Sequence, residues 1–161
     1  WFHTQEDVEP DMVVTGKGLS GGIMPITATL MTAELHAFFD DHPFVHISTF
    51  GGAELACVAA LEVLDIISEP GFMARVADVG ERIEDGLTPL GLEVRRRGMF
   101  MGLRFDDPSG GMTATQQLID AGVFAIFANN DPSVLQFLPP LTITDDEVDW
   151  LIDTTVAALS R

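Results

Sequence analysis

Between Ala53 and Ser68 the chain reads AELACVAALEVLDIIS, an apolar, alanine-rich run that stops at Pro70-Gly71. Proline withholds a backbone N–H and fixes its own φ, and glycine is the residue most tolerant of a reversal, so a helix over residues 53–68 ends there. Few charges interrupt this helix, and it is expected to be largely buried. The next stretch, FMARVADVGERIEDGLTPL, follows a different rule. Val76, Val79, Ile83, Leu87 and Leu90 recur at helical spacing on one face, with Arg75, Asp78, Glu81, Arg82 and Glu84 elsewhere. Two helices of different character on either side of Pro70-Gly71 divide the chain, and the boundary is set at residues 1–71 and 72–161.

The remaining segments fill in an α/β pattern. DMVVTG is a short apolar run ending at glycine, read as a buried strand, and ITATLM is a second strand. TAELHAFFD is a short helix begun by Thr32. In the second half, LEVRRRGMFMGLRF predicts two strands joined near Gly98. TATQQLIDAG predicts a helix with Thr113 and Gln116 in capping-box spacing and Gly122 as its stop. VFAIFA and VLQFLPP are strands. TDDEVDWLIDTTVAAL is a closing helix with a Thr144/Glu147 capping box and Val148, Leu151, Ile152, Thr155 and Leu159 inward. No internal repeat or low-complexity segment interrupts this order.

The charge balance narrows the function. Twenty-five acidic side chains against 8 basic ones give a formal net charge of -17, which repels nucleic-acid backbones and anionic membranes. No apolar run approaches the roughly 18 residues of a membrane span, and the amino terminus is not a charged-then-apolar leader. Cys57 is the sole cysteine, so no internal disulfide forms, and a cytoplasmic setting is expected.

Within this acidic chain Lys17 is the only lysine, set between Gly16 and Gly18 in VVTGKGLSGG. A phosphate-binding nucleotide loop needs Gly-x-x-x-x-Gly-Lys-Ser/Thr leading into a helix, and this stretch does not have it. Two readings are left: a solvated lysine in a turn, or a Schiff-base lysine, whose amine must reach a carbonyl and spend part of its time neutral. Downstream, HISTFGG sets Ser48 and Thr49 just ahead of two glycines and the long helix. Hydroxyls and free N–H groups at a helix amino terminus favour an anion such as phosphate, and the same residues serve equally as a plain N-cap.

Taken in order, PDMVVTGKGLSGG, HISTFGGAELACVAALEVLDII, VADVGERIEDGLTPL, VRRRGMFMGLRF and FLPPLTITDDEVD resemble the class III aminotransferases of pyridoxal-phosphate fold type I, the group of ornithine, acetylornithine, putrescine and 4-aminobutyrate aminotransferases. The resemblance runs through nearly the whole chain and is most specific around Lys17 and Thr49. It implies the following. The fold is the end of the large mixed-sheet cofactor domain followed by the small α/β domain. The cofactor is pyridoxal 5'-phosphate, with Lys17 as its Schiff-base and proton-shuttling residue and Thr49, beside Ser48, holding its phosphate. Thr49 reaches into a neighbouring subunit's site, so a homodimer with shared active sites is implied. The substrates are an amine or amino acid and an oxo acid.

Two departures stand out against the family pattern. Where many members carry an arginine that clamps a substrate carboxylate, this chain has Gln136, and the loss of a charge-assisted bidentate contact costs on the order of 2 to 3 kcal/mol. An amine or diamine donor, or another acceptor than 2-oxoglutarate, fits that change. Arg95, Arg96 and Arg97 either compensate or form a solvated strand end. The upstream phosphate loop, the ring-stacking aromatic and the acidic partner of the pyridine nitrogen are not in the chain, which is therefore expected to be the carboxyl-terminal part of such an enzyme and inactive alone. Other chemistry of the same family (aminomutase, racemase or decarboxylase) and a non-catalytic dimerisation module are the alternatives. His3, His36, His42 and His46 match no zinc spacing and are read as polar loop residues. Cys57 is read as core packing, and Met99 and Met101 as residues of one strand.

Overall fold

A computed structural model describes residues 1–160, which divide into two compact units, Trp1–Pro70 and the part that begins at Gly71. The first contains α1 (Phe2–Gln5), β1 (Met12–Thr15), a single 3₁₀ turn (Lys17–Ser20), β2 (Ala28–Met31), α2 (Ala33–Asp41) and α3 (Glu54–Ile67). Strands β1 and β2 pair antiparallel, Val13 opposite Leu30 and Thr15 opposite Ala28. Thr32 caps α2 by accepting from the Leu35 N–H, as a threonine ahead of an apolar-periodic run should.

Two burial expectations fail in this unit. Strand β1 is not buried: Val14 is 69% exposed, because a two-stranded ribbon has no layer over it among the described residues. Helix α3 buries only Ala56 and Ala60, while Leu55, Val58 and Leu61 are exposed. Its small-residue face packs on the 3₁₀ turn, and a methyl on Gly21 would meet Val63 Cγ2 at 3.3 Å. Cys57, on the same helix, is only half-buried. Histidines 36 and 42 are not loop residues: His36 lies within α2, His42 is its C-cap, and its ring packs 4.8 Å from that of Phe38. Among the described residues no three His, Cys, Asp or Glu side chains gather as metal ligands, and no helix is long and apolar enough to cross a membrane.

The second unit holds the core. Helix α4 (Phe72–Leu87) is followed by a short 3₁₀ turn, then β3 (Glu93–Arg97), β4 (Phe100–Arg104), α5 (Gly110–Asp120), β5 (Ile126–Ala128), β6 (Asp131–Phe137) and α6 (Asp145–Leu159). The four strands form one antiparallel sheet in the order β3-β4-β6-β5. The β3–β4 hairpin closes through Gly98 at φ 57, a left-handed conformation that glycine takes without steric cost. Met101 and Leu103 of β4 and Leu135 and Phe137 of β6 pack under Val76, Val79, Ile83 and Leu87 of α4, Ala114 and Leu118 of α5, and Val148 and Leu151 of α6. Every apolar position expected on the inward face of α4 is there, with Leu90 half-buried beyond its end.

Helix ends explain the remaining differences. Helix α5 starts at Gly110, ahead of the expected Thr113, whose hydroxyl instead donates back to the Ser109 carbonyl. The glycine pair lets the helix lie on the sheet: a Cβ on Gly111 would stand 2.6 Å from the Val134 carbonyl carbon and oxygen. The helix stops as expected at Gly122, with Gly122 N–H donating to Ile119 O and Val123 N–H to Leu118 O, the Schellman pattern. Val123 is thereby spent on the stop, so β5 begins only at Ile126. The Thr144/Glu147 capping box of α6 is present in both directions. Arg75 and Arg82 of α4 pair with Asp145 of α6, and Arg82 also pairs with Asp149, contacts too exposed to contribute much.

Ile83→Ala removes a side chain with no exposed surface and should destabilise the second unit by about 2–5 kcal/mol in urea unfolding. Gly111→Ala should also destabilise it, since the obstructing atoms are backbone. The Thr144 N–H, and then its hydroxyl, hold the Glu147 carboxyl below its ordinary 4.5. A depressed carboxylate stabilises the fold above its unfolded pKa and loses that contribution as pH falls through the folded value. Glu147→Gln should therefore flatten the fall in stability on acidification below about pH 4.5, read as the change in urea midpoint with pH.

Candidate functional site

Lys17 follows β1 by one residue and opens the 3₁₀ turn with φ at 51°. That is the left-handed region, where a side chain meets the following carbonyl, and a lysine gains nothing local from it. The turn is held from both sides. Leu19 N–H donates to Gly16 O at 3.2 Å and Gly21 N–H to Gly18 O at 3.0 Å, and the buried Ser20 hydroxyl donates to Met24 O. A Cβ on Gly18 would meet nothing within 4 Å, so open space lies beside the lysine. Lys17 is exposed and makes no ion pair or hydrogen bond through its ammonium among the described residues.

Ser48 and Thr49 are not at the helix start. Helix α3 begins at Glu54 with Ala53 as an N-cap that makes no side-chain bond, and a turn intervenes in which Gly51 N–H donates to Ser48 O and Ala53 N–H to Phe50 O. This corrects both sequence expectations for the segment, the gathering at the helix terminus and the plain N-cap. The glycines insert an extra turn between the hydroxyls and the helix. Both hydroxyl residues are exposed, and neither caps a backbone donor.

Gln136 belongs to the second unit, one residue before the end of β6. The period of the strands puts it on the face of the sheet opposite the core, in one row with Arg95, Gly102 and Ile126. Its Nε2 donates to the Phe127 carbonyl at 3.4 Å, toward β5. On the β3 side, Glu93 accepts from Arg95 Nε at 2.8 Å and from Arg104 Nη1 at 3.3 Å. The hydrogen bond from Arg95 is the main reason the Glu93 carboxyl sits below its ordinary range. The three arginines in sequence do not act alike. Arg96 points the other way, its Nε 2.6 Å from Glu84 Oε2. The sequence reading missed this Glu93 bridge, because Glu93 and Arg104 become neighbours only through strand register.

At a left-handed position glycine is favoured over alanine by about 1 kcal/mol. Lys17→Gly should therefore be more stable than Lys17→Ala by roughly that amount, compared by thermal unfolding.

With this geometry in place, the class-III aminotransferase family pattern matches residues 1–159. An uncharacterized aminotransferase of Archaeoglobus fulgidus is 40% identical over 165 residues, covering 99% of this chain and 39% of that protein. The ornithine aminotransferase structure from Toxoplasma gondii, crystallized in the presence of oxidized glutathione, superposes with a TM-score of 0.85 at 28% identity, over 98% of this chain and 38% of its own. The acetylornithine aminotransferase structure from Elizabethkingia anophelis gives 0.82 at 26% identity, over 98% and 42%. The chain thus spans about two fifths of the length of these relatives. Its α/β fold is that of the fold type I aminotransferases over the matched length, as the sequence implied, and the chain belongs to the class-III aminotransferase family.

Proposed function

We propose that this chain serves a pyridoxal-phosphate-dependent aminotransferase that moves an amino group between an amine or amino acid and an oxo acid, with Lys17 as the residue that binds the cofactor. The observation that carries the reading is the backbone of Lys17. A lone lysine in a chain of net charge -17 is held at φ 51 between two glycines, a conformation that side chains adopt only when the surroundings impose it. Strain of that kind clusters at functional positions, and of the two non-glycine residues with positive φ, Asp7 and Lys17, only Lys17 carries an amine.

The donor set fits the group. Lys17 offers a primary amine with space beside it, and Ser48 and Thr49 offer two uncommitted hydroxyls suited to a phosphate. When bound, pyridoxal phosphate supplies an aldehyde and an electron-withdrawing ring that stabilises negative charge on the carbon bearing the amino group. Lys17 Nζ then holds and returns the proton taken from that carbon, a task that needs its neutral form and so a site that excludes water. Ser48 and Thr49 fix the phosphate end by hydrogen bonds. Gln136 is the neutral substrate contact in the reading.

In the same reading residues 1–71 belong to the cofactor domain, residues 72–161 form the small domain, and two copies pair with shared sites. The exposed apolar side chains of the first unit, Phe44, Ile47, Phe50, Leu55 and Val58, support the pairing, since apolar side chains left in water are costly. The single cysteine supports a reducing, cytoplasmic location.

The test is to add pyridoxal phosphate to the purified protein, reduce with borohydride and locate the label by peptide mass spectrometry. Lys17 is the one lysine in this chain, so label on it is read from a single peptide. Label on Lys17, lost in Lys17→Ala, is the expected result. Label confined to the terminal amine would refute the assignment.

A further inference from the structure

Among the described residues of the first unit only Ser20, Ala56 and Ala60 are buried. Two of these are alanines of α3. The other is a hydroxyl residue in the same turn as Lys17, 1% exposed. A hydroxyl taken out of water without a partner is costly, so a serine buried beside alanines needs a bond to stay there. Ser20 has one, donating to the Met24 carbonyl.

The acceptor is itself fixed. Met24 precedes Pro25, and a proline ring keeps the residue ahead of it extended, which sets the direction of the Met24 carbonyl. The other bonds of the segment are main-chain closures of single turns, Leu19 N–H to Gly16 O, Gly21 N–H to Gly18 O and Ile23 N–H to Ser20 O. The Ser20 hydroxyl is the side chain that ties the turn to the segment leading into β2.

Lys17 stands between two anchors. On one side Gly16 lies so close to Thr27 that a Cβ on it would be 3.0 Å from Thr27 Cγ2. On the other, Ser20 is buried in the turn on which α3 packs. Returning Lys17 from φ 51 to the negative values that a lysine prefers would rotate one anchor against the other, carrying Ser20 away from α3 and breaking its bond to Met24. The strain at Lys17 therefore persists only while Ser20 is held.

We infer that Ser20 is a positioning residue for Lys17: its hydroxyl, tied to the Met24 carbonyl ahead of Pro25, holds the backbone that presents the amine. The benefit to cofactor binding rests on the aminotransferase reading. The hold on the backbone does not.

The test has two readouts on the purified protein. The first, without pyridoxal phosphate, is the nuclear Overhauser effect between the amide and α protons of Lys17, strong at positive φ and weak at negative φ. The second is the fraction of Lys17 that borohydride fixes over a series of pyridoxal phosphate concentrations. Ser20→Ala should bring the Overhauser effect down to the negative-φ level and raise the half-labelling concentration by about tenfold. Pro25→Ala, at an exposed position, keeps the hydroxyl but frees the acceptor, and should move both readouts the same way by less. If Ser20→Ala does not fold, that variant decides. Thr32→Ala removes the cap of α2, destabilises the same unit and should move neither readout, which is how a merely structural serine would behave. An unchanged Overhauser effect in both variants, or unchanged half-labelling where the unaltered chain labels, would overturn the role of Ser20 and leave the aminotransferase reading standing. No label on Lys17 of the unaltered chain, with the Overhauser effect still lost in Ser20→Ala, would remove that reading and leave Ser20 as the holder of the backbone.

Discussion

The alternation of β4 is the constraint on which the second unit depends. Met101 and Leu103 go under the helices, where each is almost wholly buried beside Phe137 and Leu135 of β6. A strand has a period of two, so that requirement sends Phe100, Gly102 and Arg104 to the other face with no further choice. Register then carries the decision across the sheet: Arg95 follows Gly102 on one side and Gln136 follows it on the other. A slip of one residue would bury an arginine and expose a methionine. The chemistry of the open face is thus set by packing on the closed one.

The second unit was the more legible half because its signals are local and mutually consistent. The α4 face, the Gly98 turn, the Gly122 stop and the Thr144/Glu147 box each rest on a few residues close in sequence, and each is found where expected. The start of α5 was misread because Thr113 and Gln116 have the right spacing for a cap, while the signal that matters is steric. Gly111 is needed by a strand neighbour far along the chain, and nothing local reveals it. In the first unit β1, β2, α2 and α3 were found near their expected places, whereas α1 and the 3₁₀ turn were not foreseen and the burial of the segments was misjudged. Leu55, Val58 and Leu61 read as core from composition, yet burial depends on what packs against a face, and composition does not say that.

The candidate site was legible in its residue types and not in its placement. A single lysine between glycines marks itself in any reading of the chain, and the backbone adds what the sequence cannot, a left-handed φ held by hydrogen bonds on both sides of the turn. Ser48 and Thr49 were found by their hydroxyls and misplaced relative to α3, since glycines signal a turn without fixing its length. The Arg95–Glu93–Arg104 bridge lay outside sequence reasoning altogether, because it is a property of pairing.

The close seat of α5 on β6 has a mechanical meaning. At Gly111 the layer spacing is set by main chain against main chain, with no side chain between them to yield. Interiors elsewhere adjust to a changed side chain by small rotations and shifts, but this point has nothing to rotate. Helix α5 is thereby pivoted at its first turn. A change in volume near Leu118, at the opposite end, is taken up by tilting of the helix about that seat, so the loop that leaves α5 at Gly122 moves while the strand end beneath Gly111 stays still.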